Sequence, residues 1–160
     1  KYKQAKEKKQ IKSSFEPIEA TQKTNVPMID HTRTAEDDTL KMLKKAKTEN
    51  DVKILIHCFT GTKEFAFKLL DIGAYISASG VVTFKKSKEL EETFKEMPTN
   101  RILVETDSTY LTPEPLRGKP NEPSYITHTV KFLSDLQNIS YAKFSETKTQ
   151  KFFNLFVEFN

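Results

Sequence analysis

The stretch Arg101-Ile-Leu-Val-Glu-Thr-Asp-Ser108 runs straight into Thr109-Tyr-Leu-Thr-Pro-Glu-Pro-Leu-Arg-Gly-Lys-Pro-Asn-Glu-Pro123. Its first half reads as a strand, Ile102-Leu-Val104. Its end is unusual, because an apolar run normally hands over to uncharged turn residues. Here it finishes in Glu105 and Asp107, two positions apart and therefore on one side of an extended chain. Two carboxylates crowded together at a strand's C-terminal end call for a cation beside them. In an α/β protein that edge of the sheet is where sites are built.

Working outward, the same kind of strand recurs. Val26–Asp30 leads into His31, Val52–Ile56 into His57, and Ala74–Ala78 forms a further strand. Between them lie helical segments over Thr34–Thr48, which opens on Glu36, Asp37 and Asp38, over Thr62–Ile72, which stops at Gly73, and over Ser87–Met97, which Pro98 ends. A helix is predicted before the first strand over Gln4–Lys23, with Ile11, Phe15 and Ile18 on one stripe. Two more follow the proline-broken loop, over Pro123–Gln137 and Ser140–Phe159. Strands and helices alternating at intervals of about 25 residues imply parallel βαβ units with right-handed crossovers. Four strands are compatible with a small open sheet or with half of an eight-stranded barrel, which needs about 250 residues.

With 160 residues, 36% hydrophobic and 30% charged, the chain is predicted to be one globular domain. It has no apolar run of membrane-spanning length, and the expectation is a cytoplasmic location without a signal peptide. Cys58 is its single cysteine, which excludes an internal disulfide. The net charge is +4. Much of the excess lies in the first twelve residues, where six lysines face Glu7 alone. Such a stretch suits either a solvated helix face or an anionic polymer.

Parallel topology gathers His31, His57, and Glu105 with Asp107 on one sheet edge. Two imidazoles with carboxylates form a nitrogen and oxygen donor set suited to a divalent ion. His128 falls within a helix, without such partners, and is expected on the surface. Arg33, two residues past His31, and Arg117 and Lys119, in the loop after the fourth strand, are cations suited to a phosphate.

The segments Ile56-His-Cys-Phe-Thr-Gly61, Val104-Glu-Thr-Asp-Ser-Thr-Tyr-Leu111 and Arg117-Gly-Lys-Pro-Asn-Glu-Pro123 resemble the signature blocks of the TatD family of metal-dependent deoxyribonucleases. Pro27-Met-Ile-Asp-His-Thr-Arg-Thr-Ala-Glu-Asp-Asp38 is similar to a further block, and Phe153-Asn-Leu-Phe156 to the family's closing helix. The resemblance implies that residues 1–160 are a single partial domain, the C-terminal half of a TIM-type (β/α)8 barrel of the amidohydrolase-like superfamily. It implies His31, His57 and Asp107 as metal ligands, Asp107 also as proton acceptor, and Glu105 in a supporting position. One or two divalent ions, Mg, Mn or Zn, would activate water for hydrolysis of a DNA phosphodiester. Arg33, Arg117 and Lys119 are the candidates for the DNA backbone.

Departures from the family pattern shape what this chain should do. The family's His-x-His strand and its glutamate-bearing strand have no counterpart here, so activity of the chain alone is expected to be impaired. An N-terminal half-barrel or self-association is the expected complement. Asp30 stands where the family has an aliphatic residue. Alternation turns it toward the covering helices, where an unpartnered carboxylate would cost several kcal/mol. Thr34 replaces an aspartate. Two other readings remain: a non-catalytic remnant or split-barrel partner that binds nucleic acid, and an amidohydrolase-type enzyme for small amides or esters.

Overall fold

A computed structural model of the protein describes Thr21, residues 26–32 and residues 35–156. The helix expected over Gln4–Lys23, apart from a helical Thr21, lies outside the described residues, as do the basic first twelve residues, Arg33 and Thr34. The chain runs through β1 (Met28–Asp30), α1 (Glu36–Asn50), β2 (Ile54–Ile56), α2 (Lys63–Asp71), β3 (Tyr75–Ala78), α3 (Lys88–Glu96), β4 (Ile102–Val104), α4 (Ile126–Leu136) and α5 (Tyr141–Phe156). The sheet order is β1-β2-β3-β4 with every pair parallel. Parallel pairing puts all four C-terminal ends along one edge.

Alternation along the short strands sorts the core into two faces. Ile54, Ile56, Ile76 and Ile102 face the helices and cluster with Leu43, Leu69, Phe94, Leu133 and Phe144. Burying a side chain of this size stabilises the fold by about 1.5–3 kcal/mol. The opposite face carries Ile29, Leu55, Ser77 and Leu103. There Leu55 and Leu103 pack with Leu155, Tyr75 and Phe156, so the end of α5 covers part of that face. Ile29 stays 57% exposed.

The helices start and stop for local reasons. α1 has Glu36, Asp37 and Asp38 in its first turn and Lys47 in its last, which complements the helix dipole. It buries Leu40, Leu43 and Ala46, one helical stripe. Thr62 caps α2 by accepting from the Phe65 amide at 3.2 Å. Glu36 reaches across from α1 and accepts both the Thr62 amide and its hydroxyl, at 2.8 and 2.7 Å. Gly73 ends α2 with φ +80°, a conformation that costs glycine little. Short 3-10 turns at Gly80–Thr83 and Thr99–Arg101 were not apparent from the sequence pattern.

Two expectations need correction. Asp30 is not a buried carboxylate without a partner: it is half-buried and accepts the Thr32 hydroxyl at 2.7 Å. Being at the end of an edge strand, it escapes the full cost of desolvation. His128 is half-buried rather than on the surface, and its ring meets Tyr125 edge-on at 6.2 Å. Among the described residues no helix is long and apolar enough to cross a membrane.

Candidate metal centre

The sheet's hydrogen-bond ladder continues one residue past the strands and sets the site's first positions. The His57 amide donates to Asp30 O at 2.8 Å, and the Glu105 amide donates to Ala78 O at 3.0 Å. Each residue is therefore held by the neighbouring strand's end. Cys58 and Asp107 then take positive φ, +47° and +55°, which swings the chain away from the strand direction. Non-glycine residues held in this region are a local cost that cluster at functional sites. The Asp107 carbonyl accepts the Tyr110 amide at 2.9 Å, which closes the turn.

His57, Glu105 and Asp107 meet here, their ligand atoms all within 4.8 Å of one another. Glu105 oxygens Oε1 and Oε2 lie 2.8 and 2.9 Å from His57 Nδ1. A carboxylate only accepts, so Nδ1 carries the proton. The two near-equal distances describe one N–H shared between both oxygens of the carboxylate. With Nδ1 the donor to Glu105, His57 has Nε2 turned to Asp107 Oδ1, 3.5 Å away, and in the neutral imidazole Nε2 is an acceptor. Two acceptors facing one another at that distance need a cation or a proton between them. Two metal–ligand bonds of about 2.1 Å closing at a tetrahedral angle span about 3.4 Å, which fits the gap. This facing pair, in a group whose ligand atoms lie within 4.8 Å of one another, suits a divalent ion.

The structure thus gathers two of the three ligands expected from the sequence, together with Glu105. His31 stands nearby, its ring centroid 5.6 Å from that of His57, but it is exposed and outside the tight group. Arg117 lies in the loop after β4 with its guanidinium 3.5 Å over the Phe84 ring, and Lys119 is exposed in the same loop. Arg33 falls outside the described residues. Cys58 is no nucleophile candidate: burial pushes its thiol up, against a contact with Ser79 Oγ at 3.2 Å.

One residue escaped the sequence reading. Asn121 is buried, and its amide nitrogen donates to Thr106 O at 2.7 Å and Tyr110 O at 2.5 Å. It clamps the two sides of the turn that carries Asp107. The signal was its place in the Pro-Asn-Glu-Pro segment, between prolines that fix the loop.

Comparison with known proteins gives these geometries a context. The family profile described as TatD related DNase matches residues 1–157. An uncharacterized metal-dependent hydrolase of Buchnera aphidicola is 43% identical over 150 residues, covering 92% of this chain and 56% of the relative. An uncharacterized metal-dependent hydrolase of Escherichia coli K12 is 39% identical over 148 residues, with the same coverage. A crystal structure of a TatD family hydrolase from Entamoeba histolytica superimposes with a TM-score of 0.82 at 23% identity, over 94% of this chain and 57% of that one. A TatD homologue from Escherichia coli K12 gives 0.79 at 20% identity, over 87% and 53%. The chain spans about half the length of the curated relatives it matches.

Proposed function

The chain belongs to the TatD related DNase family, and from that membership we propose that it contributes the His57–Glu105–Asp107 side of a divalent-metal centre that hydrolyses DNA phosphodiester bonds. The observation that carries the reading is the Nε2 of His57 facing Asp107 Oδ1 at 3.5 Å, with Glu105 behind the ring.

A divalent ion held there would supply Lewis acidity and a lowered pKa for water. The protein's own residues do the rest. Glu105 fixes the tautomer and orientation of His57 through Nδ1, the usual arrangement behind a metal-binding imidazole. Asp107, with about a third of its side chain exposed, can take a proton from an attacking water at its second oxygen. Asn121 and the positive φ at Asp107 keep that carboxylate facing His57. Arg117 and Lys119 supply positive charge for the anionic substrate.

His57 and Asp107 alone leave coordination positions to be filled, so turnover by this chain alone should be low. The test is hydrolysis of bis-p-nitrophenyl phosphate and of DNA with Mg, Mn or Zn, with and without EDTA, by wild type and Asp107→Asn. Weak, metal-dependent activity lost in Asp107→Asn supports the reading. Activity indifferent to Asp107, or confined to carboxylic esters and amides, would overturn it.

A further inference from the structure

We propose that the loops after β3 and β4 form a cationic rim that grips the backbone of a nucleic-acid strand, with Tyr110 as a platform for one of its bases. The proposal deepens the phosphodiester reading above and rests on it for the identity of the ligand.

The two loops are joined at three points. A Cβ on Gly80 would lie 2.0 Å from the Leu111 carbonyl oxygen, so only glycine lets the loops approach this closely. The Thr83 hydroxyl donates to Gly80 O at 2.7 Å and accepts the Glu114 amide at 2.9 Å. The Arg117 guanidinium lies 3.5 Å over the Phe84 ring. This junction brings Lys85 and Lys86, which follow Phe84, beside Arg117-Gly-Lys119. All four cations are exposed. Both loops leave the C-terminal ends of their strands, the edge that carries Asp107.

Charge pairing sets this cluster apart. Elsewhere the exposed lysines mostly sit in ion pairs, such as Lys63–Glu96, Lys68–Glu64, Lys131–Asp135 and Lys143–Glu146. Among the described residues, Lys85, Lys86, Arg117 and Lys119 make no ion pair with a carboxylate. The other described lysines without one are Lys44 and Lys53, Lys95 on α3, and Lys148 with Lys151 on α5, and none of them belongs to these two loops. Four unpaired cations in one place repel each other unless a polyanion covers them. Arg117 is pre-ordered by its ring contact, which cuts the entropy lost on binding.

Tyr110 narrows the ligand to a nucleic acid. The residue is 75% exposed, yet its backbone is tied at both ends: its amide to Asp107 O at 2.9 Å and its carbonyl to Asn121 Nδ2 at 2.5 Å. A rigidly mounted, solvent-facing aromatic beside a basic track is how proteins stack an unpaired base.

The test is fluorescence anisotropy of a labelled oligothymidylate with the 160-residue chain in EDTA, across a salt series. Lys85→Ala/Lys86→Ala should flatten the dependence of log Kd on log salt by about 1.4 and weaken binding about tenfold or more at moderate salt. Lys44→Ala/Lys95→Ala should match wild type. Tyr110→Ala should weaken oligothymidylate at least about fivefold while leaving inorganic polyphosphate unchanged. No oligothymidylate binding by wild type, an unchanged slope in the Lys85/Lys86 variant, or equal loss in the Lys44/Lys95 control would overturn the rim. Equal loss of both ligands in Tyr110→Ala, or loss of neither, would overturn the base platform. Because binding is read without metal, absent Asp107-dependent hydrolysis would sink the enzymatic reading and leave the rim standing. Hydrolysis that proceeds with binding indifferent to Lys85 and Lys86 would sink the rim alone.

Discussion

β4 and β1 both lie at edges of the sheet, and both end in residues able to bind a metal, yet among the described residues β4 is the more fully packed. β4 has Ile102 and Leu103 buried, with α4 and α5 against it. Its end delivers Glu105 and Asp107 into a group with His57. Among the described residues β1 packs mainly on β2, buries Met28, leaves Ile29 57% exposed, and ends in an exposed His31. The difference shows that a ligand's precision comes from the burial of the strand beneath it. Chemistry at the strand end is not enough, because a carboxylate or imidazole on a loosely packed strand keeps its rotamer freedom and loses it only on binding.

The strongest way to break this comparison is catalytic. Asp107→Asn and His57→Ala should each lower metal-dependent hydrolysis at least about 100-fold, as removal of a charge-stabilising group does, whereas His31→Ala should stay within about tenfold. Steady-state rates with bis-p-nitrophenyl phosphate check this. If His31→Ala matches His57→Ala, the distinction between the two strands fails. Next in size is Glu105→Gln. Losing the carboxylate behind His57 should weaken metal affinity about 10–100-fold, measured by calorimetric titration, with the fold retained.

Stability should separate the edges too. Leu103→Ala removes a buried side chain and should cost about 2–4 kcal/mol, while Ile29→Ala, on the exposed edge, should cost less than about 1 kcal/mol. Urea unfolding of the two variants gives both numbers. Equal costs would mean that β1 is as well packed as β4.

The smallest effect concerns Lys148, buried on α5 where it donates to the Thr99 carbonyl. Burial, with Lys151 adding to it, holds its ammonium down to about 7 from the ordinary lysine value of 10.5. Between those values the unfolded chain binds a proton that the folded one lacks, so stability rises with pH across this window. The Phe144 ring, 4.1 Å from Nζ, favours the charged form and opposes the shift, so the gain should fall short of what the full shift would give. Lys148→Met should flatten the pH dependence of urea midpoints measured from pH 7 upward. A slope that persists in Lys148→Met would assign it to another group.

Much of this was readable from the chain. Apolar runs with carboxylates or histidines at their ends, spaced by helical segments, contain the parallel topology, and topology alone brings distant residues to one edge. Gly73 and Pro98 mark helix ends because their backbone chemistry permits little else. The relation between His57 and Glu105 was not readable. Spacing puts them on the same edge but says nothing of which imidazole nitrogen meets which carboxylate oxygen. Asn121 was hidden for a similar reason, since its role is to satisfy carbonyls of a turn that exists only once the loop has folded back. Asp30 was misjudged because alternation gives the face of a residue but not how deeply an edge strand buries it.

The central claim is that His57 and Asp107, with Glu105 behind the imidazole, hold a divalent ion, and a cobalt titration monitored by visible absorption tests it most directly. Wild type and His31→Ala should both develop the intense d–d bands of a low-coordinate site with nitrogen and oxygen ligands, and His57→Ala and Asp107→Asn should not. Bands that survive in His57→Ala and Asp107→Asn, or that vanish in His31→Ala alone, would contradict it.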